Sequence, residues 1–279
     1  MNIDEIKQII KKVYKNDKSI KIISEQIDRF YNIASSFNSL KHNYKVGDLV
    51  KLKKGTLIHG TYKGLDGFSD IVKNGLISSD IIDDRKSKYP ACVGVWNLKK
   101  DYNLKDYINF YSGGTIEIRE LKGKSKTRVV SYDDMDNIME ELTKDNNCFR
   151  WFMEQTKEAR FLPSLVQDKI QIGIIFNGNN KYAKELLKGD ILNPKNINNS
   201  DVVEFVNPDY YEKFIKDRKN KDDFFTDRES AILYGIPSNL IEGILVGRKY
   251  EKNKTILREI KKLLPNAYIC NLDGVIINT

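Results

Sequence analysis

Helix-length amphipathic runs alternate with short apolar strands along this 279-residue chain, and the pattern predicts an α+β fold. Three observations carry that expectation. Ile3, Ile6, Ile10, Val13 and Tyr14 recur at helical spacing, and Ile20, Ile23, Ile27, Phe30, Tyr31, Ala34 and Phe37 repeat the stripe after a break at Asn16-Asp17. The run Gln171-Ile172-Gly173-Ile174-Ile175-Phe176, closed by Asn177-Gly178, reads as a buried strand ending in a turn. A helix over 253–264 is stopped by Pro265, and Tyr268-Ile269-Cys270 with Gly274-Val275-Ile276-Ile277 read as a final strand pair.

With 40% apolar residues the chain can bury a full core, as one domain or as one domain with a small extension. No apolar run approaches the ~20 residues of a membrane span, and Met1-Asn2-Ile3-Asp4-Glu5 does not begin a signal peptide. The expected location is the cytoplasm, with no membrane partner. Cys92, Cys148 and Cys270 are odd in number and far apart, so they are read as buried thiols, not as a disulfide framework or a zinc site. His42 and His59 are the only histidines, which excludes a multi-histidine metal centre and leaves two candidates for histidine chemistry. The net charge is +8, and through Thr56 twelve Lys and Arg stand against six Asp and Glu. A basic segment of this kind attracts polyanions by counterion release; it is also what a lysine-rich composition leaves on any solvated face.

Taken in order, residues 1–44 form an N-terminal helical extension: a packed cap, a partner-binding hairpin or a nucleic-acid grip on its lysine face. His42 sits in a polar linker and reads as a surface residue. The main domain spans 45–279. From Asp48 to Ile58, Leu49, Leu52 and Leu57 alternate with lysines around Gly55, which predicts a hairpin delivering His59. A helix ends at Asn74-Gly75. Asp133–Leu142 and Cys148–Ala159 read as helices behind a basic loop that runs from Arg119 to Arg128. Beyond Asn177 the chain reads as surface helix and loop to about residue 222, anchored by Tyr182, Leu186, Val203 and Phe205.

Three stretches carry chemistry. The first is Leu57-Ile58-His59-Gly60-Thr61, followed by the run Phe68 to Leu76. The second is Arg85-Lys86-Ser87-Lys88-Tyr89-Pro90, then Val93-Gly94-Val95, then Leu104-Lys105-Asp106-Tyr107-Ile108-Asn109-Phe110-Tyr111. The third is Asp227-Arg228-Glu229-Ser230 through Pro237, continuing into Leu240-Ile241-Glu242-Gly243-Ile244-Leu245-Val246. Read alone, these are a strand ending in a polar ring, an aromatic strand face, and a carboxylate at a strand start.

Together they resemble the ADP-ribosyltransferase superfamily, and their motif spacing is similar to that of DarT-type DNA ADP-ribosyltransferase toxins. The resemblance covers about 57–279. Ser230, Tyr234 and Gly60 depart from the family's usual pattern. It implies a split β-sheet core with helical insertions, NAD as co-substrate and no metal. It also implies Glu229 as the catalytic carboxylate, with Glu242 as its competitor. His59, Gly60, Thr61, Arg85, Tyr107 and Tyr111 would be the NAD-binding residues. The implied partners are NAD, a nucleic-acid or protein acceptor, and a neutralising partner protein. Cleavage of the nicotinamide–ribose bond builds positive charge on the ribose, which is why a carboxylate is needed beside it. Glu242, beside a glycine, otherwise reads as an exposed strand-end residue. The rival expectation is a non-catalytic basic protein that grips nucleic acid. RNA 2′-phosphotransfer, which uses a related fold, would need an Arg and His set that two histidines do not supply.

Overall fold

The computed structural model describes residues 3–14, 17–39, 41–61, 63–78, 91–98, 101–104, 115–119, 127–131, 171–191, 193 and 228–277. Two helices open the chain, α1 (Ile3–Val13) and α2 (Asp17–Ser36). Asp4 and Glu5 in the first turn of α1, and Lys11 and Lys12 in its last, match the helix dipole. Ile6 and Ile10 of α1 and Ile23, Ile27, Phe30 and Ile33 of α2 are buried at helical spacing, so the pair presents one apolar stripe inward.

The strands are β1 (Lys51–Leu52), β2 (Leu57–Thr61), β3 (Leu76–Ile77), β4 (Cys92–Asn97), β5 (Tyr102–Asn103), β6 (Thr115–Arg119), β7 (Thr127–Ser131), β8 (Ile172–Phe176), β9 (Arg228–Leu233), β10 (Gly235–Ile236), β11 (Ile241–Val246) and β12 (Tyr268–Cys270). Six of them form one sheet in the order β12-β11-β8-β2-β4-β9. Only β11 and β12 run parallel; the other neighbours are antiparallel. Helices with a mixed sheet of this kind make an α+β architecture.

Helix α3 (Gly64–Asn74) follows β2, beginning four residues before the apolar run that predicted it. Gly75 ends it at φ +84°, where a side chain would be strained, and its N–H donates to Ile71 O at 2.8 Å. Among the described residues the remaining α-helices are α4 (Lys181–Leu186), α5 (Arg248–Glu251) and α6 (Lys254–Leu263). Asn180 and Asn253 cap α4 and α6 by accepting backbone N–H bonds.

Strand alternation divides the sheet. Leu57, Val93, Val95, Ile174, Phe176 and Ile232 share one cluster with Ile27 and Phe30 of α2, Phe68 of α3 and Leu257 and Ile260 of α6. The N-terminal helices thus belong to the same apolar core as the sheet. Phe30 meets Tyr234 edge-to-face at 4.9 Å, and the Tyr31 and Tyr234 hydroxyls lie 3.1 Å apart. Asn239 Nδ2 donates to Ile33 O and Phe37 O, at 2.8 and 2.7 Å.

Several expectations are corrected. The hairpin predicted over 48–58 does not form: β1 pairs with β5, as Lys51↔Asn103 and Leu52↔Tyr102. Both edges of β2 are occupied, by β8 and β4, so no edge is left for β1. His42 is half-buried, its ring 5.1 Å from Tyr268 and 6.0 Å from Tyr44, because the linker lies against β12 and does not run free. Cys270 is buried, whereas Cys92 at the start of β4 is half-buried; Cys148 lies outside the described residues. The basic loop expected from Arg119 to Arg128 has both ends in strand: β6 and β7 pair antiparallel, Ile118 opposite Arg128. The helices expected over 133–142 and 148–159 lie outside the described residues. No helix among the described residues is long and apolar enough to cross a membrane.

Candidate functional site

β2 pairs with β8 along its whole length, Leu57↔Phe176 through Thr61↔Ile172. Its pairing with β4 covers only Leu57↔Asn97 and Ile58↔Trp96. From His59 onward the two strands part. The His59 ring reaches into that parting, with Nδ1 3.1 Å from Gly94 O. A carbonyl only accepts, so Nδ1 carries the proton and Nε2 keeps its lone pair. Burial lowers the pKa of His59 below its ordinary 6.5, against the smaller opposing effect of the Gly94 bond. The ring is therefore neutral at pH 7 and acts as an oriented acceptor, not as a cation.

Beside it lies a strip with almost no side chains. Gly60 stands opposite Gly173 of β8, and Gly94 of β4 stands opposite Ala231 of β9. Two residues beyond the Ile58↔Trp96 pair, Gly60 and Gly94 are level with each other on the same sheet face. The row runs over four strands, and both its ends, Gly173 and Ala231, are buried. Gly60 and Gly94 are half-buried, while their neighbours Ile58, Val93 and Val95 are buried. Bare backbone at the mouth of the parting is a surface on which a planar group can lie.

By register Glu229 lies across the sheet from the His59 side: His59 alternates with Leu57 and Thr61 on the face that the helices cover. Glu229 is the Cα partner of Trp96, which is the partner of Ile58, so residue 229 belongs to the face that carries Gly60 and Gly94. β9 and β2 flank β4, two strand spacings or about 10 Å apart. Thr61 closes β2. It is buried, and its Oγ1 accepts the Lys63 N–H at 3.3 Å just before α3. Arg85, Tyr107 and Tyr111 lie outside the described residues, as does Asp227.

Glu242, expected as an exposed strand-end residue, is half-buried. The register slips between Ile241↔Phe176 and Gly243↔Ile175, so Glu242 is the extra residue of a bulge. Burial pushes its carboxyl up to about 7, partly offset by a hydrogen bond from the Asn177 side chain. Glu242 and His59 are on different strands, with β8 and its paired residues between them.

Two features of the site escaped sequence reasoning. Gly94 and Gly173 each interrupt a β-branched run, and a glycine in the middle of a strand is itself a sign of close backbone approach. Asp190, also missed, is buried, and its Oδ1 accepts the Ala231 N–H at 3.0 Å, which secures the outer edge of β9. A lone Asp in an Asn- and Lys-rich stretch gives no such signal. Among the described residues no three His, Cys, Asp or Glu gather closely enough to hold a metal ion. No family model matches the chain, nor does any curated protein or solved structure.

Proposed function

We propose that the chain is a NAD-dependent ADP-ribosyltransferase with a split-sheet core of that superfamily's kind, acting on a macromolecular acceptor, nucleic acid ahead of protein. The observation that carries the reading is the parting of β2 from β4, where a neutral His59 held by Gly94 O stands beside bare Gly60. The donor set fits the co-substrate: an imidazole acceptor suits a ribose hydroxyl, and glycine backbone suits a flat ring. NAD would supply the activated glycosidic bond. His59 and Gly60 would orient it, with Thr61 at the end of the same strand. Arg85, Tyr107 and Tyr111 are assigned to phosphate and ring contacts by the sequence resemblance alone. Glu229 would stabilise the positive charge that builds on the ribose and orient the acceptor. Cytoplasmic location, a toxin's role and a neutralising partner protein belong to the same proposal.

The test is nicotinamide release from NAD by wild type and Glu229→Gln, each offered single-stranded DNA, RNA or protein. A drop of at least about 10²-fold in the variant, with unchanged circular dichroism, is expected from removing a group aimed at developing charge. A folded wild-type protein that neither binds NAD nor releases nicotinamide with any acceptor would leave the second reading, a basic nucleic-acid-binding protein. That reading draws on the +8 charge.

A further inference from the structure

At the opposite edge of the sheet from β9, a groove of about 380 Å³ runs beside β12. Its wall is aromatic: Tyr44 and Tyr268 meet edge-to-face at 5.2 Å, and His42 packs on Tyr268 at 5.1 Å. Lys41 and Lys261 line it, exposed Val46 forms part of its rim, and no carboxylate is among its lining residues. Lys261 Nζ donates to Ala267 O at 3.1 Å. Lys262 follows, exposed, in the last turn of α6. The segment from Arg248 to Lys262, which α5 and α6 span, carries seven Lys and Arg against two Glu. Burial keeps His42 neutral, and its Nε2 has no hydrogen-bond partner among the described residues.

Aromatic rings flanked by lysines match one chemistry well: a base that stacks and a phosphate that pairs. We infer that this groove binds a single-stranded polynucleotide, taking one unstacked base against Tyr44 with the flanking phosphates on Lys41, Lys261 and Lys262. The groove's size fits one base, and a duplex, whose bases are stacked, could not enter it. β11, β8 and the intervening spacings separate it from β2 by about 14 Å, so it is a site apart from the His59 parting. The inference stands whether or not the chain transfers ADP-ribose.

The measurement is fluorescence anisotropy of a labelled 20-nucleotide mixed-sequence single-stranded DNA titrated with the full chain at several salt concentrations. Tyr44→Leu, which keeps bulk and loses the π-face, should raise Kd about tenfold, while Tyr44→Phe should bind within about twofold of wild type. Lys41→Ala and Lys262→Ala should each lower the slope of log K against log salt by about one. Thermal midpoints of the variants check that they fold, and Glu229→Gln should bind like wild type. Unchanged affinity in folded Tyr44→Leu would overturn the assignment. So would a duplex of the same sequence that binds as tightly, which would mean counterion release alone. Full competition by 5′-AMP at equal nucleotide concentration would instead make this a mononucleotide site. Displacement by an acidic peptide with no affinity for the oligonucleotide would make it a protein-docking groove, and either result would sink the polynucleotide reading.

Discussion

Glu242 is a carboxylic acid placed where ionisation is penalised. It is the extra residue of the β11 bulge, half-buried, with the Asn177 side chain as its hydrogen-bonding partner. Its pKa rises from an ordinary 4.5 to about 7 on folding. Between those values the folded chain holds a proton that the unfolded chain has released, so stability falls as pH rises. The contribution is complete below about 4.5 and lost once pH passes about 7. Glu242→Gln removes the titration and keeps the shape. It should match wild type near pH 4.5 and exceed it at pH 8, by at most about 3 kcal/mol for a shift of this size. Urea denaturation at the two pH values checks this, and a gap that does not change with pH would show that the carboxyl's charge is not the cause. At this scale the sequence was partly legible. His59 and Gly60 stood out because a ring and a glycine at a strand end are unusual neighbours. The Gly94 carbonyl that fixes the ring did not, because a backbone acceptor has no residue type to announce it.

One joint ties the N-terminal helices to the strand that carries Glu229. Gln26, fully buried in α2, donates through Nε2 to Leu186 O at 2.8 Å and accepts at Oε1 from Arg29 at 3.0 Å. It lies against Gly189, in the short 3-10 turn Leu187–Gly189 that leads to Asp190 and so to the edge of β9. A Cβ at Gly189 would sit 2.5 to 2.7 Å from three Gln26 side-chain atoms, none free to retreat because both ends of the amide are bonded. Gly189→Ala should cost about 1–3 kcal/mol by overpacking. A double-mutant cycle with Gln26→Ala should recover part of that cost, whereas strict additivity would mean that the two residues do not meet. The helix stripe was legible here, since Ile23, Ile27 and Phe30 mark the inward face. Gln26, beside them, reads as a surface amide until the turn that it bonds is placed, and that turn lies 160 residues away in sequence. The same limit explains the false hairpin over 48–58: local alternation predicts a strand but not its partner, and β5 lies some fifty residues on.

At the scale of the whole molecule, strand order is what the linear pattern conceals. The runs that become β2, β8, β9 and β11 could each be read, β4 entered only as part of a motif, and β2 between β8 and β4 is a long-range arrangement that no window of the sequence contains. It is this arrangement that sets His59 beside Gly94 and puts residue 229 on the face of Gly60. A further long-range fact is that α1 and α2 contribute Ile6, Ile10, Ile23, Ile27 and Phe30 to the cluster formed by the sheet. If that cluster is one cooperative unit, a cavity made in α2 must be felt by the strands. Ile27 is 0% exposed. Ile27→Ala should therefore destabilise the chain by about 2–5 kcal/mol, the range for truncating a fully buried isoleucine. Trp96, buried on β4, reports on the sheet when Trp151→Phe makes it the only indole. In that background its fluorescence and the far-ultraviolet helical signal should shift together to lower denaturant in Ile27→Ala, as one transition. A helical signal that melts early, while Trp96 unfolds at the wild-type midpoint, would show instead that the N-terminal helices are a separate unit resting on a sheet that folds without them.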